Sequence, residues 1–215
     1  EDFLFNMYKM GKNMIERGSR DSWTVTPTEV AELQAKISKD RAAGTAAGNG
    51  RDRLSAALNP FGGTVPTTYF ADLRDPAKRD PRGFIIPASQ ADFGTATKFV
   101  NALRKANVRV HRATSAFTVA GKQYPAGSYV VKTAQAFRAH VLDMFEPQDH
   151  PNDFAYPGGP PKPPYDNAGW TLAFQMGVKF DRILDGFDCP CEVIDGMATP
   201  PSLTVANAAG AKGFV

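Results

Sequence analysis

The sequence predicts an α/β fold: a small mixed sheet that contains a βαβ unit, with flanking helices and long loops rich in proline and glycine. A buried-strand pattern over 83–87 is followed by a helical repeat of apolar residues over 89–107 and by an alternating strand over 108–112. The two strands of such a unit are expected to run parallel, with a right-handed crossover. The 17 prolines and 19 glycines cluster between these segments, which indicates long ordered loops.

Composition narrows the classes of function. The 215 residues are 42% hydrophobic and 22% charged, so the chain can bury a core. The net charge is only +3, and basic and acidic residues alternate, as in Arg74-Asp75. This pattern indicates a solvated surface rather than the basic stripe of a nucleic-acid binder. The apolar runs are too short to span a bilayer.

Residues 1–43 are predicted to form two N-terminal helices. The first covers 3–17, and Gly18 suits the left-handed position after its last turn. Because this helix is so apolar, we expect it to dock on an upstream module. Thr26 and Glu29 form a capping box that begins the second helix, which should end near 43. The apolar face of the first helix contains Phe3, Met7, Met10 and Met14.

Residues that interrupt helices and strands divide the rest of the chain into three segments. Residues 44–81 are predicted to be a flexible connector, because small residues alternate there with Asn-Pro, Gly-Gly and Asp-Pro pairs. An α/β linking domain over 82–199 follows, with a proline-rich segment over 146–166 that favours extended polyproline II. Residues 200–215 are expected to be a linker and the truncated first strand of a following domain.

Within the linking domain, several further elements are predicted. They are a hairpin around Ala120-Gly121, a strand over 128–131, a short helix over 137–145, a helix that Asp166 or Asn167 caps and Gly177 ends, and a strand over 178–183. The core of the βαβ unit is expected to contain Phe84, Ile86, Phe99, Leu103, Val108, Val110 and Val130.

No catalytic or metal-binding residue can be assigned from the sequence. His111, His140 and His150 are scattered, and neither His-x-x-Glu nor His-Glu-x-x-His occurs. A Gly-x-Ser-x-Gly elbow and a glycine-rich phosphate loop with lysine are also absent from the sequence. We therefore expect no cofactor in this chain. Cys189 and Cys191 are interpreted as two ordinary thiols in a turn, because a bridge across one residue is expected to be strained.

The best binding candidates are three aromatic residues of the proline-rich region and the helix after it. Tyr156, Tyr165 and Trp170 combine flat apolar rings with polar tips, which suits contact with a peptide or a sugar. The alternative is that they fasten the connector onto the βαβ unit, since long ordered loops commonly pack by their own aromatic residues.

Four segments carry a resemblance to a known family. They are Tyr8-Lys-Met-Gly-Lys with Arg17-Gly-Ser-Arg-Asp-Ser-Trp23, Arg82-Gly-Phe-Ile-Ile-Pro-Ala88, Tyr124-Pro-Ala-Gly-Ser-Tyr-Val-Val-Lys-Thr-Ala-Gln135, and Tyr156-Pro-Gly-Gly-Pro-Pro with Pro164-Tyr-Asp-Asn-Ala-Gly-Trp170. Together they resemble the region C-terminal to the catalytic domain of large bacterial zinc carboxypeptidase-like (carboxypeptidase A/T-like) proteins. The resemblance covers most of 3–187; the 44–63 loop and Cys-Pro-Cys depart from it.

In that family the zinc ligands and the catalytic glutamate lie upstream of this region, and a domain similar to glutamine amidotransferases follows it. The resemblance implies a non-catalytic linking region of an exported, periplasmic or secreted zinc metallocarboxypeptidase-like protein. Zinc and peptide hydrolysis would then belong to the parent's catalytic domain. The alternative is a catalytically inactive scaffold or interaction subunit derived from such a peptidase. Its partners would be modules of the same polypeptide or a neighbouring protein chain.

Overall fold

A computed structural model describes residues 1–43, 67–148, 153–163 and 170–201. The α-helices of these ranges are α1 (Asp2–Gly18), α2 (Pro27–Ala42), α3 (Phe93–Lys105), α4 (Arg138–Phe145) and α5 (Leu172–Gln175). Two 3-10 helices span Thr67–Arg74 and Pro76–Lys78. The strands are β1 (Gly83–Ile86), β2 (His111–Ala113), β3 (Phe117–Val119), β4 (Lys122–Tyr124), β5 (Tyr129–Lys132), β6 (Asp181–Ile183) and β7 (Cys191–Val193).

The main sheet has five strands in the order β6-β1-β5-β2-β7, and every hydrogen-bonded pair is antiparallel. Because β1 and β2 are each antiparallel to β5, they run in the same direction, as a βαβ unit requires. They do not pair with each other, however, since β5 is inserted between them. Tyr129 and Val130 of β5 are buried, and the central position pairs each of them with β1 on one side and with β2 on the other.

Both faces of the sheet are covered. On one face, α3, α4 and α5 pack on Phe84 and Ile86, and the largest cluster of buried residues lies there. On the other face, the β3–β4 hairpin covers Ile85 and Val130. The seven predicted core residues are all fully buried, but Val130 belongs to the second face because side chains alternate along a strand.

The helix signals of the N-terminal region are confirmed with one correction. Thr26 and Glu29 exchange the bonds of a capping box, at 3.0 Å and 3.2 Å from the two backbone nitrogens. Gly18 is not in the left-handed conformation; it is the last residue of α1, and the residue after it has φ −91°. Its need for glycine comes from a close backbone contact. Within the predicted connector, Tyr69 of a 3-10 helix packs on Leu33 and Ile37 of α2.

Turns close the other elements largely as predicted. Ala120 and Gly121 have φ of 50° and 77° between β3 and β4, and Asn107 and Gly177 also have positive φ.

The boundaries of other elements differ from the prediction. The backbone of Arg109 bonds the Gln135 side chain instead of a neighbouring strand, so β2 begins later than predicted. The last helix follows Thr171 rather than Asp166 or Asn167, which lie outside the described residues, as does the predicted final strand. β7 was not predicted.

Candidate functional site

The C-terminal end of α1 is fixed to the sheet by close contacts. Arg82 donates from Nε to the Gly18 carbonyl at 2.9 Å and from Nη2 to the Ser19 carbonyl. The guanidinium thus satisfies carbonyl groups that a helix end leaves without intrahelical partners. Gly18 is buried, and a Cβ atom there would lie 2.2 Å from the Thr133 carbonyl oxygen. The helix can approach the sheet this closely only because residue 18 has no side chain.

The segment that follows α1 is held by a buried ion pair. Arg138 Nη2 lies 2.6 Å from Asp80 Oδ2, and the two side chains are only 3% and 9% exposed. The same carboxylate accepts hydrogen bonds from Ser22 Oγ and from the Thr24 backbone N–H, both at 2.9 Å. These donors replace the water that the carboxylate loses on burial. The network therefore joins the residues after α1 to α4 and to the start of the sheet domain.

One apolar stripe runs along α1, and its C-terminal half is covered by the rest of the protein. Gly11 and Met14 are half-buried and Gly18 is buried, at the three- and four-residue spacing of a single helix face. A Cβ atom at Gly11 would lie 3.5 Å from the Cβ of Ala136, just before α4. This half of the stripe is an existing helix-to-core interface.

The N-terminal half of the same stripe is uncovered in this chain. Phe3, Met7 and Met10 continue it at the same spacing and are 75%, 55% and 63% exposed. Leu4 and Tyr8 flank the stripe and are exposed as well. All of the first ten residues are exposed, and ten helical residues span about 15 Å. The N-terminal half of α1 thus presents an apolar surface that continues the packed half of the same stripe.

The three predicted aromatic binding residues are placed only in part. Tyr156 is exposed, and its ring lies over Gly159, whose N–H donates to the Tyr156 carbonyl at 2.8 Å. Trp170 is half-buried beside α5, and its carbonyl accepts from Gln175 Nε2 at 2.6 Å. Tyr165 lies outside the described residues. The aromatic binding site therefore stays a prediction.

The histidines are placed on different elements. His111 is in β2, where burial lowers its pKa, and His140 is in α4; His150 lies outside the described residues. Among the residues that the structure describes, no group of three or more histidine, cysteine, aspartate or glutamate side chains could hold a metal ion.

The two cysteines are joined to each other, and the interpretation as separate thiols is wrong. A disulfide connects Cys189 to Cys191, with their Cα atoms 5.2 Å apart. That separation is within the ordinary range for a disulfide. A bend at Pro190 brings the two side chains to the same side, which spacing alone could not indicate.

Comparisons with known proteins found no significant match to a protein-family model, a curated protein or a solved structure. In the described ranges, none of the helices combines the length and apolar character needed to cross a membrane.

Sequence reasoning identified the apolar face of α1 but missed the residues that anchor it. Arg82, Asp80 and Arg138 look like ordinary surface charges in the sequence, and the partners described above lie 56 to 64 positions away. Gly18 gives a local signal for the end of α1. The sequence singled it out for a left-handed conformation, whereas the structure requires glycine there because the backbone approaches Thr133 closely.

Proposed function

We propose that this chain is a non-catalytic linking region of an exported zinc metallocarboxypeptidase-like protein, in which residues outside the chain hydrolyse peptides. The resemblance of four segments supports the family. The linking role rests on one observation: the apolar stripe of α1 is packed on this chain along one half and exposed along the other. A helix with that distribution is suited to join two bodies, because its exposed half still has apolar surface to bury.

The energetics favour such a role. Burying a side chain such as phenylalanine or methionine contributes about 1.5–3 kcal/mol, so Phe3, Met7 and Met10 together offer enough to order an interface. Because Arg82 and Gly18 fix the other end of the helix, little conformational entropy is lost when the exposed half docks. The occupant that we propose is the upstream module of the same polypeptide.

The test compares this chain with a longer polypeptide in which the proposed upstream module precedes Glu1. Hydrogen exchange is measured for the amides of α1 in both, together with bound zinc and peptidase activity. We expect protection of residues 3–10 only in the longer protein, together with zinc and activity. Protection without zinc or activity favours the inactive scaffold. Equal exchange in both proteins would overturn the linking role.

A pair of matched substitutions locates the interface. Met7→Ser removes an apolar group from the exposed stripe, whereas Lys9→Ser alters the opposite side of the same helix. Both residues are exposed, so neither variant should change the stability of this chain alone. In the longer protein, Met7→Ser should raise the exchange rate of α1 amides, and Lys9→Ser should not. Equal effects would mean that the stripe is not the docking surface.

A further inference from the structure

The disulfide between Cys189 and Cys191 lies at the edge of the sheet, where both cysteines pack against the buried cluster of the second face. Cys191 is the first residue of β7, an outer strand of the sheet, and Cys189 lies in the loop before it. Both cysteines are half-buried, and Pro190 between them is exposed. The bond thus lies at the partly exposed rim of that cluster and not in its interior.

The bond is not what holds this part of the fold. The entropic stabilisation by a disulfide grows with the size of the loop that it closes, and here only one residue intervenes. β7 is already paired to β2 through three residues, and the Ile194 N–H donates to the Val110 carbonyl at 3.0 Å. The strand thus stays in place when the bond opens.

The same surroundings keep the two sulfur atoms close together after reduction. Thr114 donates to the Pro190 carbonyl from its backbone N–H and from its Oγ1, each at 2.8 Å. Proline fixes one backbone angle of the intervening residue. Cys191 is held on its other side by the pairing with Ala113. A dithiol at this site is therefore preorganised to close again.

We propose that Cys189 and Cys191 form a redox-active pair that exchanges with dithiols. A thiolate of the external dithiol attacks one sulfur of the pair, and a mixed disulfide forms while the other cysteine leaves as a thiolate and takes up a proton. The second thiol of the reagent then displaces the first cysteine and closes the reagent's own disulfide. Two electrons and two protons pass to the chain, and the reverse reaction reoxidises it.

The test uses dithiothreitol as the dithiol and the folded chain. The chain is incubated with reduced dithiothreitol in native buffer, and the reaction is quenched with acid. Free thiols are then alkylated and counted from the intact mass, while far-UV circular dichroism follows the fold. We expect two alkylated thiols per chain with an unchanged spectrum, and full closure after transfer to oxidised dithiothreitol. A bond that opens only in unfolding concentrations of urea, or a dithiol that fails to close, would overturn the proposal.

Two threonine variants separate the role of the Thr114–Pro190 hydrogen bond from a general effect of replacing threonine with valine. Thr114→Val removes the Oγ1 bond to Pro190, and Thr118→Val changes an exposed threonine of β3. Loss of this bond leaves the reduced loop freer, so the equilibrium should shift toward the dithiol by up to about tenfold in Thr114→Val. Thr118→Val should match the unsubstituted chain. An unchanged equilibrium in Thr114→Val would contradict the preorganisation that the proposal requires.

Finally, the double variant Cys189→Ser with Cys191→Ser distinguishes a redox bond from a structural one. The proposal expects its midpoint of urea unfolding to lie close to that of the oxidised chain, because β7 is held by its pairing with β2. A large fall in that midpoint would identify the bond as a structural brace and count against the proposal.

Discussion

At the scale of single residues, two glycines of the same helix face differ in how closely their backbone approaches the rest of the protein. A Cβ atom at Gly18 would meet the Thr133 carbonyl oxygen at 2.2 Å, whereas one at Gly11 would meet the Ala136 Cβ at an ordinary 3.5 Å. Gly18 is therefore required by backbone approach. Gly11 carries only the conformational cost that glycine brings to a helix.

We expect Gly18→Ala to lower the free energy of unfolding by about 1–3 kcal/mol, because helix and sheet must separate to admit the methyl group. Gly11→Ala is the control and should raise that free energy by about 0.5–1 kcal/mol. Urea unfolding of both variants checks the pair. The same sign for both substitutions would contradict the close approach at residue 18.

At the scale of elements, the start of α2 depends on a charged cap. The Thr26 backbone N–H donates to the Glu29 carboxylate at 3.0 Å, and this bond holds the pKa of Glu29 below its ordinary value of 4.5. A carboxyl whose pKa is lowered by folding stabilises the protein above its unfolded-state pKa. That stabilisation is lost as the pH falls through the lower, folded-state pKa.

Glu29→Gln should therefore be less stable than the unsubstituted chain at neutral pH, by about 1 kcal/mol or less, which is the usual size of a cap. The difference should shrink as the pH falls from 4.5 through the lower pKa of the folded state, because the carboxyl takes up a proton and loses its charge over that range. Unfolding free energies of the two proteins across this pH range measure it. A difference that is constant with pH would show that the charge of Glu29 does not contribute.

Elements whose signals are local could be predicted from the sequence. The capping box of α2, the apolar spacing of α3 and the positive-φ pair Ala120-Gly121 each involve residues within a few positions of one another. Their physical cause lies in the neighbouring residues, so the sequence displays it directly. β7 has no such signal, because it is short, mostly exposed and defined by its pairing with β2.

At the scale of the whole molecule, Asp80 and Arg138 join parts of the chain that are distant in sequence. Asp80→Asn would leave the Arg138 guanidinium buried without its opposite charge. We expect a loss of about 3–5 kcal/mol in the free energy of unfolding. Asp72→Asn is the matched control, since its partner Lys36 is exposed, and it should change stability little. Similar losses in both variants, measured by urea unfolding, would contradict a special role for the buried pair.

Features of this scale could not be predicted. The insertion of β5 between β1 and β2 and the contact of Arg82 with the end of α1 depend on tertiary placement, whereas the Cys189–Cys191 bond depends on a bend at Pro190 that residue spacing does not display. The exposed stripe of α1 was predicted, because its apolar spacing is a local property. The aromatic residues of the proline-rich segment were singled out by composition, which does not determine where they lie.

The inserted position of β5 also has a consequence for how the chain acquires its structure. β1 and β2 emerge first during synthesis, with α3 between them, yet the strand that joins them comes only at residues 129–132. The other neighbour of β1 follows only at 181–183, so the second edge of β1 stays open until those residues have been made. Open edges recruit other chains, and contacts of such long sequence separation slow folding. We therefore expect the newly made chain to be prone to edge-to-edge association until its last strands appear.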